Sequence, residues 1–183
     1  NGGHQRNEFK VFTSDTWSIQ MKDNEFDSII FDCDGVLIDV TKSYDTTINR
    51  TISYTVKEIS DITVENPLTN EMLLGFKSTG GFNDEVDIAY VSILCYIAAK
   101  KLNRNPTELI LDVIDNADDS GIKSAENFLD KTGTITSEKS KLDYPGTSKN
   151  NYVRSIFDQL FYGPELYNKI FQKNSMFSER GLI

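Results

Sequence analysis

The chain has 183 residues, of which 38% are hydrophobic and 26% charged, with a formal net charge of −9. That length and apolar share suffice for one domain, or a core plus a small satellite, without disulfides or a structural metal. The acidic balance and the lack of any Lys/Arg-rich run exclude an ordinary nucleic-acid binder and give no attraction to an anionic membrane surface.

The longest apolar run, residues 91–99, is too short for a bilayer, which takes ~20 residues. The polar opening residues show no signal-peptide pattern. Cys33 and Cys95 lie far apart in apolar stretches and read as reduced core fillers, which points to the cytoplasm. His4 is the only histidine, so neither a zinc site of the usual type nor a histidine-based triad is expected.

Taken in chain order, residues 1–24 read as a poorly defined extension. Phe9, Val11, Trp17, Ile19 and Met21 alternate with polar residues, as in a hairpin or the remnant of a preceding segment. Residues 26–33 are short, β-branched and aromatic and end at Asp34-Gly35, the pattern of a buried strand running into a turn. The period then turns helical. Tyr44, Ile48, Ile52, Val56 and Ile59 form one apolar stripe, and residues 68–76 a shorter candidate helix. A glycine turn, Gly80-Gly81, precedes a helix capped by Asn83 and ending at Lys100-Lys101. This helix is apolar almost all round and should form the centre of a bundle. Pro106-Thr107-Glu108 opens a further helix through Asn116, with Thr107 as its cap, and residues 122–129 form a short one. The polar stretch 132–148 reads as a long loop. Val153, Ile156, Phe157, Leu160 and Phe161 mark an amphipathic helix that Gly163-Pro164 ends, helix resumes over 165–172, and 173–183 is irregular.

The chemistry lies at the end of the expected strand. In α/β sheets ligands bind at strand carboxyl ends. Asp32 closes the strand, Asp34 can lie on the same side two residues on, and Gly35 lets the backbone turn sharply and approach a phosphate. Two carboxylates so close repel each other unless a hard cation such as Mg²⁺ joins them. One carboxylate can then attack phosphorus, while the other protonates the leaving oxygen and later deprotonates water.

Phe31-Asp32-Cys33-Asp34-Gly35-Val36-Leu37-Ile38-Asp39 resembles the first motif of haloacid-dehalogenase-type (HAD) hydrolases. The resemblance implies Asp32 as nucleophile, Asp34 as general acid/base, and Mg²⁺ held by Asp32 and by the backbone carbonyl of Asp34. Asp39-Val40-Thr41-Lys42-Ser43-Tyr44, Phe76-Lys77-Ser78-Thr79-Gly80-Gly81-Phe82-Asn83 and Phe161-Tyr162-Gly163-Pro164-Glu165-Leu166-Tyr167 resemble a branch of that family with a helical cap inserted after the first motif. The implied fold is mostly α: the first strand and nucleophile loop of a Rossmann-like α/β core over 25–40, an all-helical cap over 41–172, and a return toward the core over 173–183. Gly35, Lys77, Gly80 and Gly81 are the candidates for substrate binding, Lys77 offering positive charge to a substrate anion. The bland reading of Lys77 is a solvated lysine beside a helix-ending glycine turn.

The family also uses a Ser or Thr, a Lys or Arg and an acidic pair, all after the cap. They are not found here, so the chain reads as the amino-terminal part of a longer enzyme. Two internal look-alikes are set aside. Asp130-Lys131-Thr132-Gly133-Thr134 matches the phosphorylation motif of P-type ion pumps but follows an amphipathic helix instead of a strand. Asp118-Asp119 reads as a solvated acidic turn. The expected activity is Mg²⁺-dependent removal of phosphate from a small phosphorylated metabolite. The alternatives are an inactive helical interaction module with a vestigial motif, and a phosphomutase.

Overall fold

The structure, a computed structural model, describes residues 41–133, 135–144 and 151–183. The expected hairpin in 1–24, the strand at 26–33 and the nucleophile loop bearing Asp32, Asp34 and Gly35 lie outside the described residues. Within them every regular element is a helix: α1 Thr41–Ser60, α2 Asn70–Ser78, α3 Glu85–Leu102, α4 Pro106–Asn116, α5 Ile122–Asp130, α6 Thr136–Leu142 and α7 Tyr152–Phe171.

α3 is the centre of the bundle, as its apolar surface requires. Every residue from Val86 to Ala99 except Asp87 is buried, and α1, α4, α5, α6 and α7 all pack on it. Its cap is Asp84, not Asn83: the Asp84 carboxylate accepts from the Val86 N–H at 2.9 Å. At the other end Asn103 takes a left-handed conformation (φ 52°), and Lys100 and Lys101 occupy the last turn, where cations complement the helix dipole. α4 is capped by Asn105, whose side chain accepts from Thr107 N at 2.8 Å with Pro106 just inside the helix, so Thr107 is not the cap.

The stripe expected on α1 faces inward. Ile48, Ile52 and Val56 are fully buried, and Tyr44 and Ile59 pack against the core. Beside it runs a second stripe, Thr47, Thr51 and Thr55, equally buried. Thr47 Oγ1 donates to Ser43 O at 2.6 Å, but Thr51 Oγ1, Thr55 Oγ1 and Ser92 Oγ have no hydrogen-bond partner among the described residues. An unsatisfied buried hydroxyl is unfavourable, so Thr55→Val is expected to raise stability by about 1 kcal/mol, or Tm by about 2–4 °C. A calorimetric melt checks it; a lower Tm would show that the hydroxyl is satisfied after all.

A further sequence expectation is corrected. The stretch 132–148 is not all loop, because α6 forms within it. Ile135 and Leu142 are both fully buried, on either side of a short polar turn of helix. Ion pairs hold that turn: Lys101 Nζ to Glu138 at 2.7 Å, and Lys139 Nζ to Glu126 at 2.8 Å and Asp130 at 3.2 Å. Tertiary anchoring supplies what local helix propensity does not.

The break expected at Gly163-Pro164 is present: two helical stretches of α7 meet at a kink where Gly163 is non-helical, at φ 69° and ψ 172°. A Cβ on Gly163 would collide with the Gly181 backbone, so glycine is needed both for the bend and for the close approach of the C-terminal segment. The bend also frees the Phe161 carbonyl, which accepts from Leu182 N at 2.8 Å. Residues 173–183 are irregular, as expected. They are tied down by Met176 N donating to Gln159 Oε1 at 2.7 Å and by an Arg50–Glu179 ion pair, and they end with Leu182 O accepting from Ser43 Oγ at 2.7 Å. The first turn of α1 and residues 181–183 therefore lie side by side.

Candidate functional site

The described candidates, Lys77, Gly80 and Gly81, sit where α2 ends and α3 begins. The loop is closed by its own hydrogen bonds. Thr79 Oγ1 donates to Phe76 O at 2.8 Å and accepts from Gly81 N at 3.3 Å, and Asn83 Nδ2 donates to Gly80 O at 3.3 Å. Phe82 is 2% exposed and meets Phe76 edge to face at 4.9 Å, which pins the loop to the core.

The two glycines differ in role. Gly80 has φ +81° and open space where a Cβ would stand. A Cβ on Gly81 would strike the Asp118 carbonyl and the Gly121 backbone, and one on Gly121 (φ +57°) would strike Gly81. Packing of this loop on the α4–α5 loop is thus a sufficient reason for Gly81. Lys77 is partly exposed, with Nζ 3.9 Å from Glu85 Oε1, and its charge faces the first turn of α3.

That first turn borders a cleft of about 320 Å³ walled by Tyr44, Phe157 and Phe161, with Asn83, Asp84, Glu85, Arg154 and Asp158 as its polar groups. Tyr44 and Phe161 are stacked at 4.9 Å and 12°. Tyr44 stands in the first turn of α1, and Phe161 carries the carbonyl that receives the C-terminal segment. The cleft therefore lies at the end of the bundle where α1 begins. Sequence reasoning did not find Arg154 or Asp158.

Arg154 is paired with Asp84, so the α3 cap also anchors α7. Asp158, one turn further along α7, makes neither an ion pair nor a hydrogen bond among the described residues. Burial pushes its carboxyl up to about 6, Arg154 pulls it down, and Asp84 opposes that pull. Asp87, on the same end of α3, is also raised, chiefly by burial, although it accepts a hydrogen bond from the Tyr144 hydroxyl.

The folded-state pKa of Asp158 lies above the ordinary 3.8, so the folded chain holds the proton more tightly. Its contribution is most favourable below pH 3.8 and is lost as pH rises to about 6. Asp158→Asn is expected to stabilise the protein at pH 7 by about 1 kcal/mol, after allowance for partial exposure to solvent. That gain should vanish near pH 4 in paired thermal melts. An unchanged gain at pH 4 would assign it to something other than the charge.

Neither look-alike motif gathers a site. Asp130 ends helix α5 and pairs with Lys139. Asp118 closes a turn, accepting from Ser120 N at 2.9 Å and Ser120 Oγ at 2.5 Å, and these bonds lower its pKa. Among the described residues no group of three or more His, Cys, Asp or Glu could hold a metal ion, and no helix is long and apolar enough to cross a membrane. Cys95 is fully buried, and burial pushes its thiol pKa up, which makes it inert core. Comparison with protein-family models, with curated proteins and with solved structures finds no match to this chain.

Proposed function

We propose that the chain belongs to a HAD-type phosphohydrolase, with the nucleophile loop at 31–39 and the helical unit as its cap. The observation that carries the reading is the Asp32-Cys33-Asp34-Gly35 motif between apolar flanks. The helical unit supports it: an insertion into a host core needs neighbouring ends, and Ser43 and Leu182 are hydrogen-bonded at 2.7 Å. In this reading the Asp32 carboxylate attacks phosphorus and forms an aspartyl-phosphate, while Asp34 gives its proton to the departing alcohol oxygen. Asp34 then takes a proton from the water that hydrolyses the acyl-phosphate, which returns Asp32 and releases phosphate. The donors proposed for a metal, the Asp32 carboxylate and the Asp34 carbonyl, are the hard oxygens that Mg²⁺ prefers. Bound there, the ion would neutralise phosphoryl charge. The substrate proposed is a small phosphorylated metabolite, and the proposed setting is cytoplasmic.

The test is p-nitrophenyl phosphate hydrolysis by the chain, and by a form extended past Ile183, with and without Mg²⁺. Metal-dependent turnover by either form supports the reading. No turnover by either form favours a helical interaction module carrying an inert motif. Phosphate appearing on an added sugar instead of in water indicates a phosphomutase.

A further inference from the structure

Asp84 uses both carboxylate oxygens. One accepts from Val86 N at 2.9 Å and starts α3; the other pairs with the guanidinium of Arg154 on α7. Arg154 stands where its own helix gains nothing from a cation. It lies in the first turn of α7, its N–H donating to the Asn151 side chain at 3.0 Å, and the positive end of a helix dipole disfavours a positive side chain. Among the described residues its one ion pair is with Asp84, although Asp158 stands four residues along the same helix. The guanidinium therefore serves the start of α3. The residues on either side of Asp84 each hold part of the α2–α3 turn. Asn83 Nδ2 donates to Gly80 O at 3.3 Å, and Glu85 Oε1 stands 3.9 Å from Lys77 Nζ. Phe82 and Gly81 fix the turn against Phe76 and the α4–α5 loop. A further tie, to α7, runs through Asp84 and Arg154.

We propose that Arg154 is a positioning residue for the α2–α3 turn: by holding Asp84 it sets where Asn83 and Glu85 stand, and through them the Gly80 carbonyl and the Lys77 ammonium. The proposal rests on the phosphohydrolase reading, in which Lys77, Gly80 and Gly81 bind the substrate. It adds α7 to that site through a residue that need not touch the substrate itself. Displaced binding groups weaken the substrate complex and leave the chemistry of Asp32 and Asp34 unaltered, so the expected mark is on KM. A partly exposed ion pair is a weak tie, and the effect is correspondingly modest.

The experiment compares Arg154→Gln, Asp84→Asn, their double variant and Arg154→Lys in p-nitrophenyl phosphate hydrolysis, using whichever of the chain or its extended form turns over. Asn caps a helix about as well as Asp, so Asp84→Asn removes the ion pair and keeps the start of α3. Each of these two single variants is expected to raise KM about three- to fivefold and to leave kcat within about twofold. The double variant should be no worse than either single one, since both remove the same tie. Arg154→Lys keeps the charge and should recover most of the native KM. A merely structural role would instead lower Tm and the amount of active protein, with KM unchanged. Hydrogen exchange at the amides of residues 80–87 gives a second readout that needs no turnover. It should quicken by a similar factor in Arg154→Gln and Asp84→Asn, while amides in α5 keep the native rate. Unchanged KM in an active enzyme, additive losses in the double variant, or native exchange rates at 80–87 overturn the proposal and leave the phosphohydrolase reading standing. Absence of turnover by either native form removes that reading, and the substrate-binding role with it, even where exchange quickens.

Discussion

If the proposed phosphohydrolase reading holds, replacement of Asp32 by Asn is expected to abolish phosphoenzyme formation and to lower turnover by about 10⁴-fold or more, because an amide cannot supply the attacking oxygen. Asp34→Asn should behave differently. The nitrophenolate of p-nitrophenyl phosphate leaves without a proton, so Asp32 can still be phosphorylated. Hydrolysis of the acyl-phosphate needs a base, and Asn is none, so the phosphoenzyme should accumulate. With an alkyl phosphate, whose leaving oxygen needs a proton, the first step should fail too, by about 10²- to 10⁴-fold. Intact-mass spectrometry after a short incubation reads both variants: no adduct for Asp32→Asn, a persistent phosphoryl adduct for Asp34→Asn with the nitrophenyl ester. An adduct on Asp32→Asn would place the nucleophile elsewhere and remove the HAD reading.

The sequence made the helices legible wherever one face is apolar. The α1 stripe, the all-round apolar α3 and the Pro106 start of α4 each have one dominant cause, and the structure has them within a few residues of expectation. Two features hid from the same reasoning. α6 has too little apolar surface for a periodic signal; Ile135 and Leu142 anchor its ends, and lysine–carboxylate pairs from α3 and α5 hold it, contacts that no local window contains. Thr47, Thr51 and Thr55 recur every fourth residue but scored as polar, although all three are buried.

The candidate site divides in the same way. Lys77 and the Gly80-Gly81 turn could be singled out because glycine pairs are rare punctuation. Arg154 and Asp158 could not. Opposite charges four residues apart on an amphipathic helix are the ordinary signature of a solvated pair. In the structure Arg154 turns instead to Asp84, seventy residues earlier, and leaves Asp158 without that pairing. The signal that separates a helix-surface pair from a cleft is tertiary: which helix start α7 packs against.

Gly81 offers the sharpest contrast between a loop that binds and a loop that packs. Gly81→Ala should destabilise the protein by about 3 kcal/mol, since the new Cβ meets the Asp118 carbonyl and the Gly121 backbone and neither is a flexible side chain. For a chain of this size that lowers Tm by about 6–12 °C. Gly80→Ala meets no atom, and only its φ of +81° opposes it, a penalty of about 1–2 kcal/mol. The same pair also separates stability from ligand binding. If the turn serves only to seat the α2–α3 loop on the α4–α5 loop, Gly81→Ala changes the melt and leaves substrate affinity untouched below its Tm. If the backbone at Gly80 also approaches a ligand, Gly80→Ala raises KM while its melt shifts by the smaller amount. A Gly81→Ala protein that melts with the native one would show that the two loops separate freely, and the start of α3 would then no longer be a fixed wall for the cleft beside it.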